Sequence, residues 1–140
     1  MICVETVGGI QAAKINPVLT SNKDVKNYDF ITVDDVLYLV NNTLSGDAVY
    51  REDQTIAAGE YLNGYDVASL AGLKLVVDGK HIAFGTGETI SDINVGDILI
   101  ANQDGKLVVD DEAPEAGAYF VVTDVNVTLT EAAIKVRVCA

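Results

Sequence analysis

Apolar and polar residues alternate with period two along much of the chain, which is the signature of strands buried on one face. The cleanest case is "AAIKVRVCA" (132–140), where Ile134, Val136 and Val138 share one face and Lys135 and Arg137 the other. Two fuller apolar runs, "DVLYLVNN" (35–42) and "AYFVVTDV" (118–125), predict central strands. The stretch "DILIANQDGKLVVDD" (97–111) places two β-rich runs around Asp104-Gly105, and Asp-Gly supplies the positive-φ residues of a tight hairpin turn. "LKLVVDGKHIAF" (73–84) repeats the device around Asp78-Gly79. No window shows the periodicity of an amphipathic helix, and "TEAAIK" (130–135) is too short to stand alone as one. The pattern predicts an all-β domain over residues 1–140, a small barrel or sandwich, with a core that includes Leu37, Leu39, Leu75, Val77, Ile98, Ile100, Val121, Ile134 and Val136.

An internal repeat refines that expectation. "DQTIAAGEYLNGYDV" (53–67) and "DEAPEAGAYFVVTDV" (111–125) align without a gap at an offset of 58 residues. Asp53, Ala58, Gly59, Tyr61, Asp66 and Val67 fall on Asp111, Ala116, Gly117, Tyr119, Asp124 and Val125. "DVLYL" (35–39) parallels "DILIA" (97–101), and "AGLKLVV" (71–77) parallels "AAIKVRV" (132–138), so halves 35–77 and 97–138 share one order of strands. Asn63-Gly64, the strongest hairpin dipeptide of the chain, falls opposite Val121-Val122 inside a strand. Either the first copy carries a bulge or turn there or the repeat is illusory; a bulge is the expectation adopted. Residues 8–29 follow neither period and carry Gly-Gly, Asn-Pro and Thr-Ser-Asn breakers, so they read as an extended arm or long surface loop. A second polar stretch, "GTGETISDINVG" (85–96), joins the two halves.

Composition supports a folded chain: 49% of its 140 residues are hydrophobic, and twelve glycines against two prolines suit strands and turns. The formal net charge of −12, with only nine Lys and Arg, argues against nucleic acid and against an anionic membrane surface as partners. Apolar runs of four or five residues are far short of the ~20 that a membrane helix needs. No signal peptide is expected in "MICVETVGG", and synthesis in a reducing cytoplasm is the simple reading of two cysteines without metal or redox spacing. Cys3 and Cys139 both fall on the polar faces of terminal strands, which predicts that those strands are neighbours and that the thiols approach each other.

Candidate chemistry is sparse. His81 is the single histidine, and a lone strand histidine is far more often a packed or exposed side chain than a catalytic base. No Ser sits in a nucleophile elbow, and neither cysteine has a histidine near it in sequence. A calcium-loop register on Gly105 puts Ile100 where the first carboxylate belongs, so Asp110, Asp111, Glu112 and Glu115 read as a solvated acidic turn. "GTGETI" (85–90) lacks the third glycine and the lysine of a phosphate loop. The expectation is therefore no catalytic, cofactor-binding or metal residue, and a protein that is not an enzyme.

The stretches "AVYREDQTIAAGEYLNGYDVASLAGLKLVV" and "VGDILIANQDGKLVVDD", in a strand-rich, acidic, cysteine-poor chain with an irregular N-terminal arm, resemble the small capsid decoration (cement) proteins of tailed bacteriophages. The resemblance implies a virion structural protein without cofactors. It would bind the major capsid protein at the outer surface of the head, as a homo-oligomer or beside neighbouring copies, with arms across adjacent subunits. An acidic chain suits the outside of a head better than its DNA-facing interior. Other readings are a phage tail or head-fibre module or, from a different class, a ligand-binding β-barrel or a small hydrolase.

Overall fold

A computed structural model describes residues 2–4, 14–42, 54–129 and 131–140. Twelve strands run through them: β1 (Ile2–Val4), β2 (Ile15–Leu19), β3 (Val25–Lys26), β4 (Phe30–Val33), β5 (Val36–Val40), β6 (Thr55–Ile56), β7 (Leu62–Asp66), β8 (Lys74–Asp78), β9 (Ile98–Ala101), β10 (Leu107–Asp110), β11 (Tyr119–Thr128) and β12 (Ala132–Cys139). Three single 3-10 turns, at Val67–Leu70, Gly79–His81 and Ile90–Asp92, are the helical structure among the described residues. The protein is all-β, as the alternation predicts. Its sheets are open, in the manner of a sandwich, and do not close into a barrel.

Two antiparallel sheets and a ribbon make three layers. The six-stranded sheet has the order β1-β8-β12-β11-β9-β10, the four-stranded sheet β2-β7-β5-β4, and β3 pairs with β6. The main core joins the two larger sheets: Leu75, Val77, Leu99, Leu107, Phe120, Val122, Ile134, Val136 and Val138 from the first meet Phe30 and Leu39 from the second. The Phe30 and Phe120 rings meet edge to face at 5.4 Å, a favoured aromatic geometry. Behind the four-stranded sheet a second cluster, Leu19, Val25, Ile31, Val40, Ile56 and Leu62, is covered by the β3–β6 ribbon. The four-stranded sheet is thus buried on both faces. That accounts for the unbroken apolar run of β5, in which Leu39 faces one cluster and Val40 the other.

Several expectations change. On β12 the strict alternation reads correctly, with Ile134, Val136 and Val138 all buried. On β9 and β11 the inward residues are Leu99, Phe120 and Val122, whereas Ile98, Ile100 and Val121 are half-buried on the opposite face. Leu37 is half-buried against the main core. No hairpin forms at Asp78-Gly79: the Asp78 carboxylate accepts from the Lys80 amide (3.2 Å) and caps a 3-10 turn instead. At Asn63-Gly64 the chain stays in strand β7, and the bulge lies in the facing strand β2, between Asn16 and Leu19. A Cβ at residue 64 would sit 2.6 Å from Leu19 Cδ1 and 3.0 Å from Tyr38 Cβ, so this glycine serves close packing rather than a turn.

From Lys14 onward, residues 8–29 are not a detached arm; residues 8–13 lie outside the described set. β2 pairs with β7 at the sheet edge, and Leu19, Val25 and Asn27 are buried. Among the described residues β2 is paired on one side only, and an edge position of that kind tolerates the missing N–H of Pro17. The expected neighbouring of β1 and the C-terminal strand is also overturned, since β8 runs between them. Cys3 is in register with Val76 and, beyond it, Lys135; Cys139 lies four positions further along β12. Strand spacings put the two Cα atoms on the order of 16 Å apart, too far for a disulfide.

The repeat halves agree in part. Gly59 (φ +83) and Gly117 (φ +91) share the left-handed conformation, β5 pairs with β7, and β9 pairs with β11. Their second parts differ: β11 and β12 form a hairpin, whereas β7 and β8 lie in different sheets. Residues 43–53 of the first half lie outside the described set.

Candidate functional site

Where the three layers meet, an open cleft of about 560 Å³ is assembled from four separate segments. β3 and the residues flanking it contribute Asp24, Lys26, Asn27 and Asp29, β6 contributes Thr55, the turn after β8 contributes Lys80 and His81, and the β9–β10 hairpin contributes Asp104 and Lys106. The hairpin tip is fixed by side chain and backbone together. Asn102 Oδ1 accepts from the amides of Asp104 (2.9 Å) and Lys106 (3.0 Å), leaving Gly105 alone in the left-handed region. The Gly105 carbonyl accepts from the Phe30 amide at 3.0 Å and ties the two large sheets together at the cleft wall.

The carboxylates of the cleft are largely engaged in holding its shape. Asp24 Oδ1 accepts from the Ala58 amide (2.9 Å), and Asp29 Oδ2 accepts from the Lys26 amide (2.9 Å). Burial raises the Asp29 carboxyl above its usual range, opposed by the Lys26 amide and by the positive charges of Lys106, Lys23 and Lys26. Buried His81 packs edge-on against Tyr28 at 5.8 Å, with Nε2 3.9 Å from Asp78 Oδ1. A histidine beside a buried carboxyl group is a pair that acid–base catalysis uses. Here Asp78 also caps a backbone turn, and no serine or cysteine is among the described residues that line the cleft. The arrangement reads as a polar seam that can bind, with lysines forming much of its exposed rim.

Other sequence candidates fall elsewhere. The acidic turn, with exposed Asp111, Glu112 and Glu115, lies at the far end of β10 from the cleft. In "GTGETI" the Gly85 amide donates to Glu88 Oε2 (3.0 Å), so the protein's own carboxylate occupies the place of an anion. Among the described residues no group of three or more His, Cys, Asp or Glu is placed to hold a metal ion. None of their helices is long and apolar enough to cross a membrane. Among the described residues the large exposed apolar side chains are Ile15, Val18, Tyr61, Val95 and Val109. Three of them fall in the segments singled out by sequence, Ile15 and Val18 within 8–29 and Val95 within 85–96. The cleft itself was not visible in the sequence, because no two of its four segments are adjacent in the chain.

Comparison with protein-family models, with curated proteins and with solved structures gives no significant match in any of the three.

Proposed function

We propose that this protein is a non-enzymatic virion structural protein that binds the outer surface of a phage capsid and reinforces contacts between capsomers. Its partners in this reading are the major capsid protein and neighbouring copies of itself. The observation that carries the proposal is the edge strand β2. Leu19 anchors its end in the core, yet Ile15 and Val18 stand 57% and 65% exposed, and Tyr61, just before the paired strand β7, is 73% exposed. Large apolar side chains held out on a rigid edge form a surface suited to docking on another protein. The resemblance noted above supplies the identity of that protein. A tail or head-fibre role would use the same surface. A ligand-binding role would use a surface cleft, such as the one between the layers, because the sheets do not close into a barrel.

Deleting residues 8–29 would remove Leu19, Val25 and Asn27 from buried positions, so substitutions at the surface make the cleaner test. The double variant Ile15→Asp, Val18→Asp should keep its urea midpoint, since exposed changes typically move stability within about 0.5 kcal/mol. It should no longer co-sediment with shells assembled from the cognate major capsid protein. Undiminished co-sedimentation of a folded double variant overturns the proposal.

A further inference from the structure

Ten carboxylates and a single cation, Lys106, lie between residues 82 and 134. Part of that stretch builds the β10 end of the six-stranded sheet and the loop that leads into β9. Between this loop and β10 runs a groove of about 450 Å³. Phe84, Ile93, Val108 and Val109 give it apolar walls, and Glu88, Asp92 and Asp97 line it without any Lys, Arg or His among its described residues. Each of the three carboxylates accepts one backbone amide, from Gly85 (3.0 Å), Thr89 (2.7 Å) and Asn94 (2.9 Å) respectively. Those bonds hold the carboxylates in place but leave each its negative charge and a second oxygen. None of the three closes an ion pair among the described residues. Lys80 lines an adjoining hollow together with Glu88 and Glu131, and neither Asp92 nor Asp97 belongs to that hollow.

The groove follows an open strand edge. β10 is the last strand of its sheet, and Val108 and Val109 point to opposite faces, so a groove lined by both runs along the outer side of the strand. The hairpin decides which backbone groups face it. The Asn102 amide donates to the Lys106 carbonyl at 2.8 Å, and hydrogen-bonded pairs alternate along an antiparallel ladder. Val108 and Asp110 therefore bond β9, whereas Leu107 and Val109 turn N–H and C=O outward. Leu107 agrees with that parity: its carbonyl accepts from the Ala83 amide (2.8 Å), where Ile82 makes a parallel bridge. Among the described residues no such bridge is made at Val109, whose side chain is 50% exposed.

An open edge flanked by apolar walls suits strand addition, in which main-chain bonds supply affinity and side-chain contacts supply selectivity. We propose that this groove binds an extended, Lys- or Arg-bearing segment of a partner protein, which adds to the sheet beside β10. The backbone of the segment bonds Val109, its apolar side chains meet the walls, and its cations meet Glu88, Asp92 and Asp97. A second copy is a poor occupant, because two such edges would bring like charges together. The edge belongs to a different sheet from β2, so its occupancy is measured without any capsid.

The probe is a fluorescein-labelled peptide of about seven residues that alternates Lys and Val, the length of an ordinary strand. It is titrated with the whole chain at about 0.15 M salt, where distant charges are screened, and read by anisotropy. The wild type should bind it saturably. The same peptide with every backbone amide methylated keeps its charges but cannot complete the ladder, and should bind about tenfold more weakly. Glu88→Gln with Asp92→Asn and Asp97→Asn retains an oxygen acceptor for each amide and should also lose about tenfold. Asp34→Asn with Asp35→Asn and Glu60→Gln removes as many exposed charges elsewhere and should change binding less than about twofold. Val109→Pro deletes the outward N–H without touching the ladder to β9, and should bind poorly while staying folded. Absence of saturable binding by the wild type overturns the proposal. So does equal binding of the methylated peptide, equal loss in the two charge variants, or wild-type binding by folded Val109→Pro. The methylated peptide needs no variant, so it decides the matter even where Val109→Pro does not fold. A dimer of the whole chain that Val109→Pro dissolves also overturns it, by making the edge a self-pairing site. If the capsid test fails while the peptide still binds, the capsid reading falls and this one stands.

Discussion

Gly105 is under two independent constraints. Its φ of +80 is a conformation that disfavours any side chain, and a Cβ there would sit 3.0 Å from the Phe30 carbonyl oxygen and 3.1 Å from Asp29 Cβ. Gly59 shares the first constraint, at φ +83, but has nothing within 4 Å of such a Cβ. Gly59→Ala should therefore cost about 1 kcal/mol, whereas Gly105→Ala should cost about 2–3 kcal/mol and loosen the cleft wall. Urea midpoints of the two variants check the difference. Asp29 makes a second prediction at this scale. Its carboxyl is raised in the folded chain by burial, so the native state holds the proton to higher pH than the unfolded state does. The stability it contributes is full below the unfolded pKa and is lost as pH rises through the folded one. Asp29→Asn, which can still accept from the Lys26 amide, should remove that decline: relative to wild type it gains stability on going from about pH 3 to neutrality. A gain that instead appears on acidification counts against the desolvated carboxyl. The positive φ of Gly105 is legible from Asp104-Gly105 in the sequence; its approach to Phe30 is not, because the two lie in different sheets.

At the scale of the element, legibility depended on whether only one face of a strand is apolar. β12 alternates strictly, and its inward side could be read directly. In β9, Ile98, Leu99 and Ile100 offer apolar side chains to both faces, and in β11 Tyr119, Phe120, Val121 and Val122 do the same. A strand's inward face is then decided by register with its neighbours, which a one-residue shift inverts. The consequence is measurable: Leu99→Ala should cost about 3 kcal/mol and Ile98→Ala about 1 kcal/mol, although the second removes the same number of carbons. Comparable losses at both sites would contradict the observed register. Turn dipeptides were similarly ambiguous. Asp-Gly closes a hairpin at 104–105 but caps a 3-10 turn at 78–79, and Asn-Gly at 63–64 stays in a strand because Leu19 and Tyr38 need the space of the missing side chain. The breakers in 8–29 suggested an arm; Leu19 and Val25, two apolar residues without clear period, are enough to seat its second half in the core.

On the scale of the whole molecule, composition and alternation define the class, but the layering follows from pairings far apart in the chain. The small β3–β6 ribbon could not be foreseen from two residues in each strand, yet its Val25 and Ile56 complete the second apolar cluster behind the four-stranded sheet. The cleft arises for the same reason, from turns that meet only after the layers have stacked. Net charge was informative about the molecule as a whole and silent about its distribution, since lysines 26, 80 and 106 converge from different layers.

The position of β8 bears on how such a chain reaches this state. Val77 pairs with Ile2 on one side and Ile134 on the other, so both neighbours of this buried strand are residues remote in the chain, in opposite directions. Closing long loops before any ladder is formed makes folding slow. During synthesis β8 emerges before β12, with a bare edge of Leu75, Val76 and Val77 open to any passing strand. Yield in the cell should thus be governed by how quickly β12 arrives, and crowding of nascent copies is the stage at which this protein is most exposed to aggregation.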